Sequence, residues 1–416
     1  MIETVFQGKQ SRKVAQNMKI AGIIAEYNPF HAGHAWQIAA LREMGYDAVV
    51  CVCSPSIVQR GTQALMPIEI RTRAALFGGA DLVLCLPAPY ADMSAEGFAA
   101  AGVKILASLG TCDTLAFGAE DKLSDIERVV DVLLSDALAD RLQRELSFGK
   151  PFAAARAAAS ESLLAGSAEI LQKPNNILAA EYCKALRRLD IKNAPAPLAL
   201  PRNGAEHDAK LTLSDESGFA SASALRAIFA QNGAAMLADY VPAKCLDIYI
   251  EAEKNGLVLD ENRLETAILS RLRAMNADDF AKIRGVNEGL ENRLAAAAKT
   301  ATTLEEMYSA LKSKRYAHSR MRRLVLDCVL GFTPDLPKLP PYIHVLGATQ
   351  KGREVLSLAK DSATLPISAS LAQLAQTSKE AKAVAEAHAA AEDLAALCLK
   401  HPKQCGTAYT NGVIMV

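Results

Sequence analysis

A chain of 416 residues with 46 basic and 46 acidic side chains has no net charge with which to gather a polyanion, so any nucleic-acid contact must come from a local patch. Half of the residues are hydrophobic and 22% are charged, which excludes a disordered chain and gives enough length for two or three packed domains. No apolar run approaches membrane-spanning length and residues 1–17 lack the apolar core of a signal peptide, so we expect no membrane segment and a cytoplasmic protein. Nine cysteines without paired spacing point the same way, to reduced thiols, and no metal site is expected from them.

Residues 1–17 are set aside as an N-terminal extension. The stretch Lys19 to His34, KIAGIIAEYNPFHAGH, then opens with a short apolar run, Ile20 to Ala25, that suits a strand buried on both faces of a parallel sheet. Asn28 and Pro29 stop it, and Gly33 to Met44 reads as a helix. His31 and His34 therefore sit at a strand-to-helix junction, where unpaired N–H groups and the helix dipole favour phosphate. Two imidazoles three residues apart can donate to the same phosphoryl group and stabilise the charge that builds on it. A metal pair or a structural helix cap are the competing readings of these histidines.

The second strand is expected at Asp47 to Cys53, with Cys51 and Cys53 on one buried face. Behind it, the loop Ser54-Pro55-Ser56 and Gln59-Arg60-Gly61 falls at the carboxyl edge of the sheet, which makes Arg60 a candidate phosphate or carboxylate contact. Pro67 fits the first turn of a helix whose Arg71 and Arg73 read as a solvated face. Asp81 to Pro87 is a third strand, and a helix from Ser94 to Leu109 leads to a fourth, Asp113 to Phe117. That strand ends at Gly118, where a base or ribose can lie against bare backbone. Residues 123–189 read as helical, broken by Lys173-Pro174-Asn175-Asn176, and the asparagines read equally well as helix caps. Leu198 to Arg202 supplies a last strand, and Ser221 opens another helix.

This alternation predicts an α/β fold over residues 18–230, a Rossmann-like doubly wound parallel sheet. Residues 231–335 read as a helical region, and 336–416 as a small C-terminal module. The helical region contains the only dense basic run, Lys312 to Arg323. Its Lys312, Lys314, Arg315, Arg320, Arg322 and Arg323, with Tyr316 as a stacking platform, are candidate RNA contacts.

The H-A-G-H tetrad resembles the H-x-G-H signature of the nucleotidyltransferase superfamily, and Ser221-Ala222-Ser223-Ala224-Leu225-Arg226 resembles its second motif, with Ser223 in place of threonine. The runs IIAEYNPFHAGH, VQRG, DLVLCLP, LAFGAED, KPNNIL, SASALR and SKRYAHSRMRR, in that order, resemble the tRNA(Met) cytidine acetate ligase family. The resemblance implies activation of acetate with ATP to acetyl-adenylate, then acetyl transfer to N4 of the wobble cytidine of elongator tRNA(Met). It implies His31 and His34 as the catalytic, phosphate-directed pair. It implies ATP contacts from Ile24, Ala25, Glu26, Tyr27, Asn28, Pro29, Phe30, His31, Ala32, Gly33, His34, Ala35, Trp36 and Gln37. Further ATP contacts would be Gly118, one of Asn175 and Asn176 with Asn175 preferred, Arg202, Ser223 and Arg226, with Mg²⁺ bound mainly through the ATP phosphates. Two other functions fit parts of the pattern: a nucleotidyltransferase moving AMP onto a small phosphorylated acceptor, and a non-enzymatic ATP-responsive RNA-binding protein.

Overall fold

A computed structural model describes residues 18–189, 194–201, 220–287, 289–312 and 318–416. Five strands form its parallel centre: β1 (Ile20–Ala25), β2 (Ala48–Cys53), then, beyond a hairpin of β3 (Ile57–Val58) and β4 (Thr62–Gln63), β5 (Leu82–Cys85), β6 (Thr114–Ala119) and β7 (Ala196–Pro201). Their order is β5-β2-β1-β6-β7. The order reverses direction beside β1, and such a switch point opens a crevice at the carboxyl ends of the strands.

The sheet is buried on both faces because side chains alternate along each strand. In β1, Ile20 and Ile24 join one core with the helices Ala95–Leu109, Leu123–Leu133 and Pro174–Arg188, while Ala21 and Ile23 join the other. That second core holds the helices Ala32–Glu43, Ile68–Phe77 and Ala243–Lys254. The helix Ala95–Leu109 lies close on β1 because Gly102 leaves room for Ile24; a Cβ at Gly102 would stand 2.7 Å from the Ile24 side chain.

The closing segment does not stand apart as a small module. Its β8 (Ile343–Ala348) pairs antiparallel with β5, and β9 (Ile367–Ser368) and β10 (Ile414–Met415) pair parallel with β8, so the C-terminal strands extend the same sheet. Among the described residues the helical region carries no strand, and it builds a third core around Phe280, Leu294, Met307, Met321 and Val325. Arg284 fastens it to the sheet domain by donating to Asp92 and Asp327, each at 2.6 Å. Burial raises both carboxyls above their ordinary range, and the shared guanidinium opposes the rise. Among the described residues no helix is long and apolar enough to cross a membrane.

Candidate active site

Beyond β1 the chain turns sharply, with Tyr27 in the left-handed region at φ 48° and a cis peptide between Asn28 and Pro29. A tyrosine is held in that region only where its surroundings fix it. Here the ring is buried, its hydroxyl shares a 3.1 Å hydrogen bond with Cys51 Sγ, and it makes edge contacts with Phe30 and His34. Arg226 braces the turn from the helix Ala222–Asn232 by donating to the Asn28 carbonyl at 2.8 Å.

His31 is the N-cap of Ala32–Glu43. Its Nδ1 accepts the Gly33 N–H at 3.1 Å, and His34 Nδ1 accepts the His31 N–H at 3.2 Å, a capping box made of two imidazoles. Because both bonds use Nδ1 as acceptor, the proton of each neutral ring is placed on Nε2, which makes Nε2 the donor atom. The rings stack with centroids 3.8 Å apart. The cap reading does not exclude a phosphate-directed one: capping sets the tautomer in which Nε2 of each ring is a donor.

The helix start faces a cavity of about 440 Å³ at the carboxyl edge of β1, β6 and β7. Apolar walls come from Phe98, Phe117, Ile177, Leu178 and Tyr182, and polar groups from Glu26, His31, His34, Gln59, Arg60, Asn175 and Ser221. Such a mixture suits a nucleotide, whose base wants flat apolar faces and whose phosphates want donors. Gly118 lines it, and a Cβ there would meet nothing within 4 Å.

Of the expected segment, Ile24, Ala25, Glu26, Tyr27, Asn28, His31, Gly33, His34, Trp36 and Gln37 line the cavity. Pro29, Phe30, Ala32 and Ala35 do not; Phe30 is fully buried and its carbonyl accepts from Tyr249 at 3.0 Å. The asparagine pair divides. Asn175 is on the cavity wall, whereas Asn176 is buried behind it, its Oδ1 accepting the Glu120 and Asp121 N–H groups at 3.0 and 3.2 Å. Neither is the cap, which is Lys173. In the second motif, Ser221 lines the cavity and caps its helix by accepting the Ala224 N–H. Ser223 and Arg226 stand off the wall; Ser223 touches Ser221 Oγ at 3.2 Å. Arg202, Lys314 and Arg315 lie outside the described residues.

The reading of Arg71 as solvated is overturned. It is 1% exposed, and its guanidinium donates to the carbonyls of Glu26, Ser54, Pro55 and Met66, tying the ends of β1 and β2 together. The basic run also divides. Lys312 is exposed, but Arg322 lies over the Tyr308 ring, 5.5 Å from its centroid, and Arg323 turns inward to the carbonyl of Gln59 at 3.4 Å. Gly61, at the tip of the β3–β4 hairpin, fits against the same helix, His318–Leu330; a Cβ there would stand 2.5 Å from the Arg323 nitrogen. Sequence reasoning also missed Glu392, whose carboxylate accepts from the N–H and hydroxyl of Ser56, both at 2.8 Å. No local signal marks these contacts.

A buried strand, a capped helix start bearing two histidines and a cavity at the switch point define a nucleotidyltransferase, and residues 18–408 match the HIGH Nucleotidyl Transferase family. Proteins named tRNA(Met) cytidine acetate ligase from Acetivibrio thermocellus and Thermoanaerobacter sp. (strain X514) are 33% and 34% identical over 96% and 95% of this chain and all of their own length. The solved structure of Thermotoga maritima TmcAL bound with alpha-thio ATP superposes with a TM-score of 0.86 at 27% identity, covering 96% of this chain and all of that one, and its apo form with 0.88 at 29%. The chain belongs to the tRNA(Met) cytidine acetate ligase family within the HIGH nucleotidyltransferases.

Proposed function

We propose that this protein activates acetate with ATP and passes the acetyl group to N4 of the wobble cytidine of elongator tRNA(Met), in the cytoplasm. The observation that carries the reading is the imidazole capping box, which fixes two Nε2 donors at a helix N-terminus inside a nucleotide-sized cavity. The ATP-analogue-bound relative supports ATP as the nucleotide.

Acetate is ionised at neutral pH, so its oxygen can attack the α-phosphorus without a general base. The bond from that phosphorus to the bridging oxygen breaks, pyrophosphate leaves, and acetyl-adenylate remains. His31 and His34 stabilise the charge that grows on the phosphoryl oxygens, and Arg60 and Asn175 complete the polar wall. The cytidine amine then attacks the acetyl carbonyl, releasing AMP and a proton. Glu26 is the only carboxylate on the cavity wall among the described residues, and it already accepts the Gln59 N–H at 2.8 Å. A Mg²⁺ ion would therefore be held mainly through the phosphates, where it would supply charge neutralisation. Arg202, Ser223 and Arg226 are kept as ATP-site residues, Arg226 through the Asn28 turn. Lys312, Lys314, Arg315 and Arg320 are the RNA contacts of the basic run, with Arg322 and Arg323 anchoring it.

Incubating the protein with labelled acetate, ATP and tRNA tests the reading. Label in the RNA as N4-acetylcytidine, with pyrophosphate released, is expected. Transfer of labelled AMP to a small phosphorylated acceptor, or RNA binding with no label transferred, would replace it with one of the two alternatives.

A further inference from the structure

Away from the ATP cavity, three potential ligands converge beneath the C-terminal segment. Cys85 ends β5, and His344 is its direct partner on antiparallel β8, so the pleat turns both side chains to one face. His388 reaches the same place from the helix Lys379–Leu397. All three residues are buried, and one sulfur or nitrogen atom from each lies within 4.8 Å of the other two. Cys85 Sγ is 3.9 Å from His388 Nε2.

Two observations separate this cluster from ordinary core packing. The buried Nδ1 of His344 has no hydrogen-bond partner. A buried ring nitrogen without a partner is rare in a folded protein, and one beside a thiol and a second imidazole is placed to ligate a metal. Beside it is a cavity of about 40 Å³ lined by His344, His388 and Glu392, enough for one water molecule.

We propose that Cys85 Sγ, His344 Nδ1 and His388 Nε2 bind a zinc-class divalent ion, with a water from the adjacent cavity as the fourth ligand. One thiolate, two imidazoles and a water match the softness and tetrahedral geometry that zinc takes. Loading releases the Cys85 thiol proton to solvent. It also moves the His388 ring proton from Nε2 to Nδ1, which gives up the long 3.4 Å bond from the Ala88 N–H. None of the three residues lines the cavity of His31 and His34, so the ion acts as a clip: it ties β8 and the C-terminal helix to β5, joining positions 303 residues apart. That separation is why no cysteine spacing hinted at it.

The test uses the full chain, stripped with a chelator and then given Zn²⁺ or Co²⁺ alone. About one zinc per chain, a rise in unfolding temperature on adding zinc, and a thiolate-to-cobalt charge-transfer band in the near ultraviolet are expected. Cys85→Ser should lose the band and weaken zinc binding at least about tenfold, and His344→Gln should weaken it similarly. Cys405→Ser, which removes the exposed thiol, should leave the band intact. A band that survives Cys85→Ser, or that vanishes with Cys405→Ser, overturns the site. If Cys85→Ser does not fold, wild type decides alone, because folded protein without the cobalt band and without retained zinc also overturns it.

Discussion

The helix start with His31 and His34 and the hairpin with Gln59 and Arg60 face one cavity, yet they are held in opposite ways. The mutual placement of the two imidazoles is set by bonds spanning two and three residues, within a single capping box, even though Arg226 and Tyr249 brace the turn before it. The second is set from far along the chain: Glu26 on the Gln59 N–H, Arg323 on the Gln59 carbonyl, Glu392 on Ser56, and the Ala395 carbonyl accepting from Gln63. A locally determined element keeps its geometry when distant parts shift, whereas the hairpin inherits every displacement of the helices that grip it. Reacting phosphates gain from the first kind of support.

The comparison breaks most visibly at the histidines. Replacing His31 or His34 with Ala should slow acetate-dependent ATP–pyrophosphate exchange by roughly a hundredfold or more, the scale of a lost transition-state donor. Loss of the cap should lower stability by only about 1 kcal/mol. Exchange at the normal rate in both variants would remove the pair from the mechanism.

Glu392 tests the hairpin's remote support through pH. Burial is the largest cause raising its carboxyl to about 7; its bonds from Ser56 and the nearby Arg71 oppose the rise, and Glu69 adds to it. Below the ordinary carboxylate range both folded and unfolded chains hold the proton. Between there and about pH 7 only the folded chain does, so the group's contribution to stability falls as pH rises through that window. The loss is on the order of 3 kcal/mol and levels off above it. Glu392→Gln, which keeps a partner for Ser56, should remove this slope from the unfolding free energy measured between pH 5 and 8; an unchanged slope would assign it elsewhere.

At Gly61 the effect should be smaller. An added Cβ meets the Arg323 backbone at 2.5 Å on a residue with φ 72°, so Gly61→Ala should cost roughly 1 to 2 kcal/mol in chemical denaturation. Slower pyrophosphate exchange should accompany it, and a variant as stable and active as wild type would show that the hairpin is not held there.

The finest distinction lies within the basic run. Arg323→Ala should raise the ATP KM several-fold through the hairpin with no change in the salt dependence of tRNA binding. Lys312→Ala with Arg320→Ala should flatten that salt dependence by up to about two counterions and leave pyrophosphate exchange intact. The reverse pattern would mean that Arg323 meets RNA and that Glu26, Glu392 and the Ala395 carbonyl hold the hairpin without it.

Strand positions, the helix starts and the histidine pair were legible in the sequence, because each rests on short-range physics: β-branched runs between turn residues, a polar residue before an amphipathic stretch, two imidazoles three apart. Even their limits came close, with the second strand at Ala48–Cys53 and the fourth at Thr114–Ala119. Asn175 and Asn176 mark where that legibility stops. Adjacent and identical in type, they part only because the Glu120–Asp121 turn of a different element takes one of them. Arg71, read as solvated, Arg323, read as an RNA contact, and Glu392, which drew no reading, follow the same rule: folding brings carbonyls, a hairpin or a serine against the charged group. The sequence determined the central strands and most helix starts, and pointed to one helix start as a candidate phosphate site. Tertiary structure alone decided which polar groups lost their water, because desolvation depends on neighbours that loop closure brings from hundreds of residues away.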